Sequence, residues 1–294
     1  MIKFIHIVSF SHYYKVDKSI FFNILEKMKS IHLKNIEKIS IIKKTQIIEN
    51  SDNILYFGIF NSKCKIIPKY FIHINGDTFH INRYFNDTKI FMDRAIMIID
   101  FSSYNILAIN NYKQYWHKTV YIPFGYHEFL EPKKISNISK DIIMFGGKHS
   151  NRFRYYHTLK EKGYKIEYPN YIENKYLHKN DIDKCIQESI MGVSILKVTK
   201  DCNDLHRIRH FIINKRLFIV QKSEDMLLNS FFEKYDLLCD YQNIVQKSEE
   251  LILFYKTDSE AYKDKANKLY EEFVEKFNIE NYMQPIVDVI NNIK

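Results

Sequence analysis

Nine short apolar runs rich in β-branched residues recur along this chain, at 2–9, 37–42, 53–60, 70–75, 95–100, 119–124, 141–146, 191–198 and 217–221. Several are unbroken, such as Ile96 to Ile99 (IMII) and Val193 to Ile195 (VSI). A strand reads this way when both faces of a parallel sheet are covered. Amphipathic segments at 17–31, 102–112, 152–162, 179–189 and 205–215 fall between the runs. Such alternation predicts doubly wound α/β layers. From about 243 the pattern becomes helical, at 243–256, 259–277 and 280–292.

A length of 294 residues favours two domains. The polar stretch Glu131 to Lys140 (EPKKISNISK), with Pro132 inside it, is the natural boundary. It predicts an N-terminal domain at 1–135 and a C-terminal domain at 136–294. Met1 to Phe10 is apolar but broken by Lys3 and His6, and reads as a first strand rather than a signal peptide. No run approaches the ~20 apolar residues that span a bilayer, so no transmembrane segment is expected. Cys64, Cys185, Cys202 and Cys239 stand far apart with no C-x-x-C pair. Reduced thiols in a cytoplasmic protein are the expectation. The net charge of +9 is spread along the chain without a basic block. Heavy use of Lys, Ile and Asn matches an AT-rich genome, so the charge points only weakly to anionic substrates. No zinc-finger, helix-turn-helix or RNP-like motif occurs, and nucleic acid is the least favoured partner.

Only seven glycines occur, and two are adjacent, at Gly146-Gly147. They separate the run Asp141 to Phe145 (DIIMF) from a helical segment that begins near Arg152. A strand entering a glycine turn and a helix N-terminus presents backbone N–H groups and a positive dipole end to an anion. Lys148, Arg152 and Arg154 add cationic side chains. The spacing matches neither G-x-G-x-x-G nor the P-loop. Two readings stay open on the residues alone: a phosphate or diphosphate cradle, and an ordinary tight turn of an α/β fold.

Four segments follow one another in a recognisable order. Ile99 to Asn105 (IDFSSYN) precedes Val120 to Gly125 (VYIPFG). Then come Asp141 to Gly147 (DIIMFGG) with Arg152, and Asp204 to Val220 (DLHRIRHFIINKRLFIV). This succession, over roughly residues 90–280, resembles GT-B-type glycosyltransferases, and among them a group-1-like set from large DNA viruses and bacteria. The resemblance implies two Rossmann-like domains facing a cleft, with a helical C-terminus whose last helix packs back on the N-terminal domain. The stripe Tyr282, Ile286, Val289 and Ile290 suits such docking. It further implies metal-independent transfer of a sugar from a nucleotide-diphosphate-sugar to a hydroxyl of a glycan or protein, with no cofactor. The donor would sit mostly on the C-terminal domain, held by Gly146, Gly147, Lys148, Arg152, Asp204, Arg207 and Arg209.

The chain departs from that pattern in places. Asp204 heads the acidic-x-x-R helix where Glu is usual, and Asn214-Lys215 fills a turn where glycine is frequent. Asp204 also suits a helix N-cap, a role compatible with ligand contact. A charged helix face can equally be merely solvated. An inverting reaction needs a general base near the acceptor. His6, His12, His73, Asp77 and His80 lie in or just after N-terminal strand candidates, and Asp77 and His12 are the first choices. Asp181-Ile182-Asp183 and Asp201-Cys202-Asn203 superficially match D-x-D metal motifs, but carboxylates at helix starts are expected without a metal. The alternative function is a catalytically degenerate protein of the same fold that holds a nucleotide or glycan without turnover.

Overall fold

Every strand pairing in the two sheets is parallel. The computed structural model describes residues 1–8, 15–33, 35–61, 64–75, 82–132, 137–169, 179–196 and 205–293. The chain forms two units, one of Met1–Pro123 with Ile279–Lys294, the other of Phe124–Asn278.

Unit 1 holds a six-stranded sheet in the order β2-β1-β3-β4-β5-β6. The strands are β1 (Phe4–Val8), β2 (Lys38–Ile42), β3 (Ile54–Gly58), β4 (Phe71–Asn75), β5 (Met97–Asp100) and β6 (Thr119–Tyr121). Every residue of β3, β4 and β5 is buried, as their unbroken apolar sequences require. Helices α1 (Lys15–Ile31), α2 (Asn82–Arg94) and α3 (Ser103–Ala108) belong here. The sequence pattern has no helix at 82–94, because from Phe85 to Arg94 only Phe85, Phe91 and Met92 are buried apolar residues. Two adjacent parallel strands nonetheless need a crossover, and α2 supplies it between β4 and β5.

The helix expected at 102–112 stops at Ala108. A 3₁₀ segment, Asn110–Lys118, replaces its end. Three residues per turn put Tyr112 and Tyr115 on one edge, and both are buried in the aromatic cluster with Phe85 and Phe91.

Unit 2 holds a five-stranded sheet in the order β11-β10-β9-β7-β8. Its strands are β7 (Lys140–Met144), β8 (Ile166–Glu167), β9 (Ser189–Ser194), β10 (Phe218–Gln221) and β11 (Leu238–Cys239). Its helices are α4 (Ser150–Glu161), α5 (Lys179–Gln187), α6 (Leu205–Ile213), α7 (Met226–Glu233), α8 (Ile244–Thr257) and α9 (Ser259–Phe277). The two-residue strands β8 and β11 are too short to show a sequence period. Helix α6 packs closely on β9 because Gly192 has no side chain: a Cβ there would stand 2.3 Å from the Phe211 ring. Tyr262 of α9 ties β9 to β10, donating to the Ile190 carbonyl and accepting from Leu217 N–H.

The chain enters unit 2 at Phe124, ahead of the boundary expected at 135. Tyr126 N–H donates to the Phe277 carbonyl at 2.8 Å, Tyr270 bonds Glu131, and Lys179 reaches the Glu131 carbonyl. The polar stretch therefore begins inside packed structure. Gly125 is pressed so closely to Phe277 that a Cβ would lie 1.9 Å from its carbonyl oxygen. The last helix, α10 (Gln284–Asn292), lies in the segment grouped with unit 1. In that segment Glu280 pairs with Lys27 of α1, and Tyr282 meets Tyr121 edge-on.

Candidate functional site

In sheet 2 the chain goes from β7 to β8 on one side and then to β9 on the other, so β7 and β9 flank the topological switch point. Ligands of open α/β sheets gather at the carboxyl ends of strands at such points. Gly146-Gly147 follow β7 at that end, and Ile195 follows β9.

Gly146 adopts φ +114°, a conformation that disfavours a side chain. A Cβ there would come within 2.6 Å of Arg152 Nη1 and 2.7 Å of Arg207 Nη1. Two guanidinium groups thus converge over one glycine. Arg152, on the first turn of α4, is 5 % exposed. Its Nε and Nη2 donate to the Ile195 carbonyl at 2.9 and 2.7 Å, and its Nη1 donates to the Gly147 carbonyl at 2.9 Å. Tyr168 Oη donates to the same Gly147 carbonyl at 2.9 Å. The turn is therefore fastened to the end of β9 and cannot drift. His149 caps α4 through Nδ1, accepting from Asn151 N–H. Arg207, half-buried on α6, brings its Nη1 to the same glycine. Lys148 is exposed on the turn, and a Cβ at Gly147 would meet open space.

The structure does not join Arg209 to this group. Residues two apart on a helix project about 200° apart. With Arg207 over Gly146, Arg209 is fully buried elsewhere, its Nη1 3.5 Å from the Phe124 carbonyl. Asp204, His12, Asp77 and His80 lie outside the described residues, as do Asp201 to Asn203. Asp183, half of the first D-x-D, is buried, and its oxygens accept from Lys179 at 2.7 Å and Asn214 at 2.9 Å. Burial raises its pKa, but the nearby His210 ring, 3.8 Å away, and bonds from Lys179 and Asn214 outweigh that and hold it below the usual carboxylate range. This carboxylate is engaged in packing α5 against α6. In the turn after α6, Lys215 rather than Asn214 takes the left-handed conformation, at φ 51°. Asn214 instead serves the Asp183 network through its side chain.

Sheet 1 carries a second polar group, around the D-F-S-S-Y-N segment. Asp100 and Asn75 are register partners on β5 and β4. Asp100 accepts from Asn75 Nδ2 at 2.8 Å, Ser102 N–H at 2.9 Å and Asn105 Nδ2 at 3.2 Å. Ser102 caps α3. The motif's Asp and Asn thus tie two strands to a helix start. Burial pushes the Asp100 carboxyl up to about 6, against bonds from Ser102, Asn75, Tyr112 and Asn105 that lower it.

His73, two residues back on β4, is fully buried, and among the described residues neither ring nitrogen has a hydrogen-bond partner. Burial, with Lys44 adding a smaller push, brings its pKa down to about 3. The unfolded imidazole takes a proton near pH 6.5, so His73 contributes stability in full above that pH. The contribution is lost as pH falls towards 3. Asp100 acts in the opposite sense between pH 6 and 4, equally in wild type and variant. We therefore expect His73→Phe to reduce the loss of unfolding free energy between pH 6.5 and 4.5 by about 2 kcal/mol. Urea titrations at the two pH values read this directly. An unchanged pH slope would show that the ring is hydrated in the native protein.

Sequence reasoning missed the Ile195 carbonyl, Tyr168 and Gly192. A backbone acceptor leaves no residue-specific signal, and one tyrosine among 22 carries none.

No family model and no curated protein matches the sequence. Solved structures do resemble the fold. Anabaena HepE, in complex with UDP and glucose, superposes with a TM-score of 0.61 at 9% identity, over 98% of this chain and 99% of that one. T4 phage BGT, in complex with its UDP-glucose substrate, gives 0.60 at 12%, over 98% and 99%. The phage protein also has a structure with UDP and Mn²⁺. S. aureus TarM gives 0.56 at 15%, over 83% of this chain and 57% of its own length. None of these assigns the chain to the viral and bacterial group that its motifs resemble. With two parallel α/β sheets and a helical C-terminus, the chain has the GT-B fold.

Proposed function

We propose that this chain is a glycosyltransferase that moves a sugar from a nucleotide-diphosphate-sugar, a UDP-sugar first of all, to a hydroxyl acceptor without a metal. The observation that carries the reading is the convergence of Arg152 and Arg207 on Gly146 at the switch point of sheet 2. As the glycosyl bond breaks, negative charge builds on the departing diphosphate. Cations and helix N–H groups already in place stabilise it without reorganising. Arg207 would supply a two-pronged contact to phosphate oxygens, and the N-terminus of α4 would add its dipole. Arg152 would keep the turn in shape, Lys148 would reach out from it, and Asp204 would contact a ribose or sugar hydroxyl. A base, Asp77 or His12, would take the acceptor proton. The UDP-containing complexes of HepE and the phage protein support the choice of nucleotide.

The test is thermal unfolding against UDP-, GDP-, TDP-, CMP- and ADP-sugars, each with and without chelator. A UDP-sugar should raise the midpoint in chelator. Arg207→Ala should weaken that ligand about 10- to 100-fold. Stabilisation that requires a divalent cation would overturn metal independence. No response to any nucleotide would remove the donor site. A shift without UDP release in the presence of acceptors would favour the alternative, a non-catalytic binding protein, for which Asp204 in place of Glu already speaks.

A further inference from the structure

The charge of the chain is unevenly divided. Unit 1 has 18 Lys and Arg against 11 Asp and Glu, and unit 2 has 26 against 24. Within unit 1, no acidic residue occurs from Phe101 to Pro123. This stretch contains α3 and the 3₁₀ segment after it, and its outward face is apolar at two points. Leu107 is 72% exposed, and Trp116, the only tryptophan of the chain, is 46% exposed.

The two belong to one patch. Trp116 Nε1 donates to the carbonyl of Ile106, the neighbour of Leu107, at 2.7 Å. Lys113, three residues before Trp116 and so on the same 3₁₀ edge, holds its ammonium 5.8 Å from the indole centroid. The opposite edge is anchored: Tyr112 and Tyr115 are buried, and Tyr115 Oη donates to Asp93 at 2.6 Å. Lys118 is fixed on the Asp93 and Ala95 carbonyls. The protein therefore presents a leucine and an indole with a lysine beside them, on a rigid base and with no acidic residue in the stretch itself; the Asp93 carboxylate at its base is bonded to Tyr115 and paired with Lys89.

We propose that this patch seats unit 1 on an anionic lipid surface, with Leu107 and Trp116 entering the headgroup region and Lys113 meeting lipid phosphates. An amphipathic indole prefers that depth, and nearby lysines add attraction to anionic lipid. Nucleic acid would use the Trp116 face and Lys113 but would have no use for an aliphatic side chain as open as Leu107. The binding is peripheral, because no helix among the described residues is long and apolar enough to cross a membrane. The proposal does not depend on the donor reading.

The sole tryptophan is its own reporter. With vesicles of phosphatidylglycerol and phosphatidylcholine in equal parts, Trp116 emission should move to the blue and the protein should sediment with the lipid. Pure phosphatidylcholine should hold it more weakly. Leu107→Gln and Lys113→Glu, both exposed and both keeping the reporter, should each cut vesicle affinity roughly tenfold with an unchanged melting temperature. Wild-type binding to neither vesicle would overturn the proposal, as would variants that bind as well as wild type. A blue shift with an oligonucleotide and none with vesicles would make the patch a nucleic-acid surface. A shift that follows protein concentration, with a dimer in sedimentation, would make it a contact between copies.

Discussion

Arg152→Ala should lower the unfolding free energy of unit 2 by about 3–5 kcal/mol and its melting temperature by on the order of 10 °C. The side chain makes three donations to two backbone carbonyls from a site 5 % exposed. Truncation removes charge-assisted bonds and leaves the Ile195 carbonyl in need of a donor at the end of β9. Nucleotide affinity should fall with it, because the Gly146-Gly147 turn loses its fastening. Arg152→Lys should be intermediate: the charge remains, but a single ammonium cannot reproduce the fork. The comparison with Arg207→Ala separates the two roles, since that variant keeps the Arg152 fastening of the turn and should lose ligand with a smaller drop in melting temperature. Calorimetry on the three variants decides the matter. A melting temperature within about 2 °C of wild type for Arg152→Ala would mean that the carbonyl contacts contribute little net stability.

The second large effect is expected where the chain enters unit 2. Gly125→Ala should cost about 3 kcal/mol. The added methyl would meet the Phe277 carbonyl oxygen at 1.9 Å and its Cβ at 2.8 Å, and neither can swing aside as the tip of a long side chain could. Relief requires the 124–126 segment to back away, which stretches the Tyr126–Phe277 bond and loosens Phe277 against Phe231 and Phe273. Gly147→Ala is the control. Nothing lies within 4 Å of its added carbon, so the change should stay within about 0.5 kcal/mol. Guanidinium chloride titrations of both proteins test the pair, and equal midpoints would refute the close-approach argument.

The contrast between these glycines marks what a sequence can reveal. Gly146-Gly147 drew notice because they are adjacent, rare and placed between a strand and a helix. Only one of them is sterically required. Gly125 and Gly192 gave no signal, because what excludes a side chain there is a residue 152 or 19 positions further along. The buried strands were readable from unbroken β-branched runs, and the alternation implied parallel sheets. Helix α2 was not readable, since a crossover is demanded by strand direction and can form with few apolar contacts, three among its described side chains. At the candidate site the arginines were identifiable by position, but their division of labour was not. Arg152 binds carbonyls, which every residue has. Arg209 shares a helix with Arg207, and only the angle between their side chains separates them.

Gly146, Arg152 and Arg207 also constrain how this chain can change over generations. At φ +114° any side chain at 146 is strained, and the space it would enter is shared with two guanidinium heads, so substitutions there are disfavoured while the turn keeps this shape. Loss of either arginine, in turn, leaves a glycine whose unusual backbone no longer serves a purpose. The three positions form one inherited block, to be kept together or replaced together. Descendants that have given up the activity should show all three drifting, and those that keep it should show none.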